Sequence, residues 1–328
     1  MAMVSISNVP YVIVNAFTDR SFGGNPAAVV SLPSESLTAQ SATLIDTTTI
    51  VSISQSLAQP IVVFLSPPGS DDSSDSPIYD IRFFANAISI QTCGHGMFAT
   101  TKAICRGMLP GISHDVSRHP IVKLRRACGT IISARALGPL LSEENTSDSE
   151  FYELMLPIGT MEEVTMEIER DVILTLVAQA LRTEVNTLRV KYVAHGLGDM
   201  SHRVVIVLDE NEELEGREID AHLFKPILGR FRSYTLTHGT PGKETAFVSR
   251  SFSSSYGARE DHVCGSAHSL MVPYYAAQPN ACIAPGRESF VRQVGPRVGS
   301  LWVTLDEAEG VTHLRGNGKL FAKGEIIL

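Results

Sequence analysis

The chain has 328 residues, 44% hydrophobic and 19% charged, with a formal net charge of −8. It is long enough for two domains and apolar enough for full cores, which excludes general disorder. The acidic balance argues against a nucleic-acid-binding stripe, since Lys and Arg are scattered and cluster only at Lys123-Leu124-Arg125-Arg126.

No window approaches ~18 uninterrupted apolar residues, so no membrane helix is expected. Residues 1–10 lack the positive start and long apolar core of a secretory leader. Five cysteines, at 93, 105, 128, 264 and 282, are too few and too scattered for a disulfide framework. The odd count points to free thiols in a reducing cytoplasm. No Cys/His spacing matches a structural zinc site, so no metal is expected.

In chain order, residues 11–17 are β-rich and bounded by Pro10 and Asp19, and predict a strand. Ser21-Phe22-Gly23-Gly24-Asn25-Pro26 is a turn, and 27–32 the return strand of a hairpin. A helix is expected around 40–56, a buried strand at 61–65, a polar loop at 67–77 and an alternating strand at 78–84. Residues 94–105 read as a helix apolar nearly all round, hence buried. Residues 122–137 predict two strands about Cys128-Gly129, and the acidic run 142–149 a surface loop.

The second half repeats this plan. Strands are expected at 151–156, 187–193 and 203–208, an amphipathic helix at 171–181 and another helix at 224–230. A strand at 245–252 and a turn at 253–257 precede an apolar helix at 266–277. Pro273 predicts a kink or break in that helix. Closing strands are expected at 298–305, 311–316 and 319–328. Strands outnumber helices and each half holds one buried helix, which predicts an α+β fold of two similar halves.

The chemistry concentrates where those buried helices begin. Thr92-Cys93-Gly94-His95-Gly96 puts a thiol at one helix mouth, and Val263-Cys264-Gly265-Ser266-Ala267 repeats the design 171 residues later. A helix N-terminus presents unpaired N–H groups and about half a positive charge, which favours thiolate over thiol and can hold a carboxylate or enolate oxygen. Glycine after each cysteine clears bulk from those N–H groups. Two facing mouths would place a thiolate and a thiol on opposite faces of one carbon. Cys105, Cys128 and Cys282 lack this context and read as structural, and His268 as core. His95 either orients a ligand or carries a proton, or else satisfies the helix end; Asp261 either accepts a substrate N–H or acts as an acid or base, or else caps the helix.

Asn15-Ala16-Phe17-Thr18-Asp19-Arg20-Ser21-Phe22-Gly23-Gly24-Asn25-Pro26-Ala27-Ala28-Val29 resembles the N-terminal signature of the phenazine-biosynthesis PhzF-like family. Ile81-Arg82-Phe83-Phe84 leading to Cys93-Gly94-His95 resembles its second motif, and Glu260-Asp261 with Gly265-Ser266-Ala267-His268 its third. Leu314-Arg315-Gly316 to Ile326 is similar to its end, so the resemblance spans essentially the whole chain. That family shares its fold with diaminopimelate epimerase and proline racemase. The resemblance implies two pseudo-symmetric domains, each a curled, mostly antiparallel sheet around a central helix. They would comprise 1–138 plus about 314–328, and 139–313, with the active site in the cleft between them. It also implies no cofactor, frequent homodimers, and isomerases that abstract and return a proton.

The departures from the family pattern carry their own expectations. Gln59 stands where family isomerases use a glutamate base, and an amide cannot serve as one near neutral pH. Asn15 replaces a usual Asp, Ala85-Asn86 a usual Thr-Pro, and Cys264 a common Thr. Cys93 with Cys264 resembles instead the two-cysteine arrangement of epimerases and racemases of the same fold.

The expected function is therefore a cofactor-independent epimerase, racemase or double-bond isomerase acting on a small carboxylate- or carbonyl-bearing substrate. Cys93 and Cys264 form its acid/base pair. Gly94, His95, Gly96, Gly265 and Ser266 form the anion-binding mouths, and Asn25, Gln59 and Asp261 orient the substrate. Two alternatives stand beside it: a non-catalytic binding or scaffold protein, and a cyclase or lyase using the same cleft. The departures suggest a specialised pathway of secondary metabolism.

Overall fold

A computed structural model describes residues 8–33, 45–68, 77–138, 150–253 and 260–328. Most of the expected loop at 67–77, the loop at 142–149, most of the turn at 253–257 and the start of the helix around 40–56 lie outside the described residues. In chain order the elements are β1 (Asn8–Ala16), β2 (Asn25–Ser31), α1 (Thr47–Leu57), β3 (Ile61–Ser66), β4 (Ile78–Ala85), β5 (Ile88–Ile90), α2 (Gly94–Cys105), β6 (Val122–Arg126), β7 (Ile131–Leu137) and β8 (Phe151–Pro157). They continue with β9 (Met161–Glu163), α3 (Glu167–Ala180), β10 (Val190–Gly196), β11 (Arg203–Leu208), β12 (Ser233–Gly239), β13 (Thr245–Phe252), β14 (Glu260–Asp261), α4 (Gly265–Ala276), β15 (Ser289–Gln293), β16 (Gly299–Asp306) and β17 (Val311–Ile327). The chain divides into one compact unit of Met1–Met155 with Arg315–Leu328 and a second of Leu156–Leu314.

In the first unit, β1 pairs antiparallel with β17 and β2, β2 parallel with β3, and β3 antiparallel with β4. Next, β4 pairs parallel with β6, β6 antiparallel with β7, and β7 antiparallel with β8. Helix α2 touches β1, β2, β3, β6 and β7, so strands from both ends of this order curl around it. That explains why all of its residues are buried. Phe98 on α2 packs on Phe17 with ring centroids 4.3 Å apart. Phe17 takes φ 60°, a left-handed conformation held by its place in the core. At the far end of the helix, Lys102 and Arg106 close on Glu150 at 3.1 and 3.0 Å, cations where the helix dipole favours them.

The second unit runs through the same series. β10 pairs antiparallel with β9 and β11, β11 parallel with β12, and β12 antiparallel with β13. Then β13 pairs parallel with β15, and β15 antiparallel with β16. Helix α4 touches β11 and β16, well separated in that order. In both units the central helix follows a short strand, β5 or β14, that folds back on its predecessor. This is an α+β fold of two topologically equivalent halves. Helix α3 is amphipathic as expected: Ile173 and Val177 enter a core with Val193, Val204 and Ile206.

Several local expectations are corrected. Residues 224–230 form no helix, because Pro226 blocks one and Leu228-Gly229 turn left-handed, closing a bridge between Ile227 and Phe231. Helix α4 runs unbroken through Pro273. The Ser269 carbonyl that Pro273 cannot serve accepts instead from the Gly159 N–H at 3.0 Å. A side chain at Gly159 would meet Leu270 Cδ2 at 2.6 Å, so only glycine allows this approach. The two last strands are one, β17, interrupted only by a register shift opposite Ile13/Val14. The strand expected at 187–193 begins later, because residues 185–187 make a turn of 3₁₀ helix. β5, β9, β12, β14 and β15 have no counterpart among the expected strands.

Candidate functional site

The first half-site grows from the β1–β2 hairpin. Gly24 has φ 59°, and a Cβ there would lie 2.2 Å from the Ala16 carbonyl oxygen. Glycine therefore lets the loop fold back tightly enough to set Asn25 opposite Ala16 at the start of β2. Asn15 Nδ2 donates to the Ser21 carbonyl at 2.6 Å and ties down the same tip.

Asn25 is buried, with Nδ2 3.0 Å from His95 Nδ1. An amide nitrogen donates, so Nδ1 accepts and the ring proton sits on Nε2. Cys93 caps α2: its extended backbone lets Sγ accept from the Gly96 N–H at 3.4 Å. His95 brings Nδ1 to 3.4 Å and Nε2 to 3.7 Å from the same sulfur. A Cβ on Gly96 would lie 3.3 Å from Sγ and 3.0 Å from Val63 Cγ2, so the glycine leaves the sulfur its place on the N–H. Asn25, Cys93, Gly94, His95 and Gly96 are thus brought together. Gln59 follows the left-handed cap Ala58 of α1 and turns Nε2 back to the Leu57 carbonyl at 3.1 Å.

The second half-site is built differently around its thiol. Cys264 caps α4 but makes no side-chain cap bond. Its sulfur takes a hydrogen bond from Arg203 Nη1 at 3.1 Å and lies 3.5 Å from Ser266 Oγ. The same Nη1 donates to Ser233 Oγ at 3.0 Å. Gln293 clamps the approach to the helix: its Oε1 accepts from the Cys264 N–H at 2.8 Å, and its Nε2 donates to the Asp261 carbonyl. His268 is fully buried one turn in, and its Nδ1 donates to the Cys264 carbonyl at 2.8 Å. Asp261, Cys264, Gly265 and Ser266 therefore form one cluster. Arg203, Ser233 and Gln293 join it and were missed. Arg203 left one signal in the sequence: a lone charge opening a strand otherwise of apolar residues, all of it buried.

At Cys264 burial outweighs the helix mouth. Burial pushes its thiol up to about 11, and the carboxylate of Asp261 adds to the rise; Arg203 and the Ser266 hydroxyl oppose it. The helix mouth does not make Cys264 a thiolate near neutral pH. Cys105 is core as expected, its thiol pushed up to about 12 by burial. Cys128 is not core: it is exposed, and the Thr130 hydroxyl lowers its thiol. His268 is pushed down to about 4 by burial and stays neutral. Among the described residues no group of three or more His, Cys, Asp or Glu could hold a metal ion, and no helix is long and apolar enough to cross a membrane.

A phenazine biosynthesis-like domain-containing protein of Homo sapiens is 24% identical over 97% of this chain and 99% of its own length. A protein of Halalkalibacterium halodurans named an uncharacterized isomerase is 23% identical over 97% and 98%. Among solved structures, a PhzF family protein from Enterococcus faecalis superposes with TM-score 0.69 at 24% identity, covering 98% of this chain and all of that one. A hydroxyproline epimerase from Agrobacterium vitis, with bound trans-4-hydroxy-L-proline, shares the fold at TM-score 0.58 and 12% identity, covering 100% and 93%. The family model described as phenazine biosynthesis-like protein matches residues 14–324, and the chain belongs to that family.

Proposed function

We propose that the protein is a cofactor-independent isomerase in which Cys93 removes a proton from a carbon next to a carboxylate or carbonyl and Cys264 returns one. The observation that carries this reading is the asymmetry of two equivalent helix caps. Cys93 Sγ accepts from the Gly96 N–H and has the protonated His95 Nε2 at 3.7 Å, donors that stabilise a thiolate. Cys264 is held as a thiol up to about 11. One half-site supplies a base and the other an acid.

The Cys93 thiolate takes the C–H proton, and the bonding pair delocalises into the adjacent carboxylate or carbonyl. Cys264 S–H then gives its proton to the opposite face of the same carbon, leaving its own pair on sulfur. Delivery to a conjugated carbon instead gives double-bond isomerisation. The N–H groups of Gly94, Gly265 and Ser266 lie in the first turns of α2 and α4, where they bind the substrate anion, while that of Gly96 holds the Cys93 sulfur. Gln59, in place of a glutamate, supplies no base.

Incubation in heavy water with a panel of D- and L-amino acids that includes proline and trans-4-hydroxy-L-proline tests this. One deuterium should appear at the carbon next to the carboxylate of at least one member. Exchange at near-full rate in either Cys93→Ser or Cys264→Ser would overturn it.

A further inference from the structure

The guanidinium of Arg203 enters the second half-site from the first residue of β11, 61 positions before the thiol it touches. It is 8% exposed, and Nη1 divides its contacts between Ser233 Oγ at 3.0 Å and Cys264 Sγ at 3.1 Å. A neutral thiol is a weak acceptor and a thiolate a strong one. The contact is therefore worth most when Cys264 has lost its proton.

The other groups facing that sulfur do not do this. Asp261 on β14 repels a thiolate. Ser266 on α4 offers a hydroxyl, while Gln293 on β15 and His268 on α4 are engaged with backbone atoms.

We infer that Arg203 is the positioning residue that lets Cys264 act as an acid: it holds the sulfur in place and stabilises the thiolate left once the S–H proton has gone to carbon. This rests on the two-thiol reading above. Asp261 keeps the proton on sulfur before reaction, and Arg203 receives the charge afterwards. The pair sets the acid strength of one thiol from two sides.

The test reads Cys264 alone and needs no substrate. The ultraviolet thiolate absorbance of the full-length protein is titrated, and the curve of the corresponding Cys264→Ser variant is subtracted. This is repeated in Arg203→Met, Arg203→Gln and Arg203→Lys, each checked for folding by circular dichroism. At about pH 10.5 the Cys264 signal should fall at least roughly fivefold in the Met and Gln variants, while Lys, which keeps the charge, retains at least about half. An unchanged signal in whichever of the Met and Gln variants folds, or an equal loss in Lys and Met, overturns the inference. Retained deuterium exchange in Cys264→Ser would instead sink the two-thiol reading, and it leaves this titration unaffected.

Discussion

The Gly96 backbone N–H points at the Cys93 sulfur from 3.4 Å, and Cys264, at the equivalent cap of the other half, makes no such bond. Two copies of one design have thus diverged in what holds the sulfur: a helix N–H and a histidine in one, a buried arginine and a serine in the other.

Gly96→Ala tests how tightly the first sulfur is placed. The added methyl would crowd Cys93 Sγ at 3.3 Å, Val63 Cγ2 at 3.0 Å and Phe83 Cδ1 at 3.3 Å. Overpacking of this kind costs about 1–3 kcal/mol, read as a lower denaturation midpoint in urea. Activity should fall more than stability, because the sulfur is displaced from its N–H.

Asn25→Leu should release the His95 tautomer. Asn25 now donates to Nδ1 at 3.0 Å and keeps the proton on Nε2. Nitrogen NMR of the wild type should show a bare Nδ1 at His95. The Leu variant should show mixed tautomers, and an unchanged spectrum would remove Asn25 from this role.

Stability should depend on pH at both ends. Burial raises the Cys264 thiol from an ordinary 9.0 to about 11. Between those values the unfolded chain has lost the proton and the folded chain has kept it, so stability falls as pH rises through that window. Cys264→Ser should lose less stability there than the wild type. On the acid side His268 is pushed from 6.5 to about 4. There the unfolded chain binds the extra proton, so stability falls as pH drops from about 6.5 to 4. His268→Gln should flatten that limb in denaturant titrations.

Alkylation should not favour Cys264, although it caps a helix. Iodoacetamide near neutral pH should label Cys128 first, since it is exposed and its thiol lowered, and Cys105 last. Cys264, buried and held protonated, should also be slow, as peptide mass mapping would show. Fast labelling of Cys264 would contradict the acid role given to it.

Local signals in the sequence were strong where one segment decides its own conformation. Cys-Gly before an apolar run gave α2 its bounds, and a Gly-Gly-Asn-Pro tip gave the β1–β2 hairpin. The helix expected at 224–230 failed because Pro226 outweighed the apolar spacing around it. What stayed hidden depends on distant partners. Gln293 reads as an ordinary strand residue until it clamps Asp261 and Cys264 from 32 and 29 positions away. The pull of a helix mouth on a thiol was visible in Cys264; the larger and opposite effect of burial was visible only once the surrounding strands were in place.

The chemistry assigned to Cys93 and Cys264 is tested most directly by deuterium uptake from heavy water, comparing wild type with Cys93→Ser and Cys264→Ser on the amino-acid panel. Two thiols acting as base and acid predict incorporation at one carbon by the wild type and a loss of about a hundredfold or more in each variant. Near-full incorporation in either variant, or none by the wild type on any member of the panel, would contradict it.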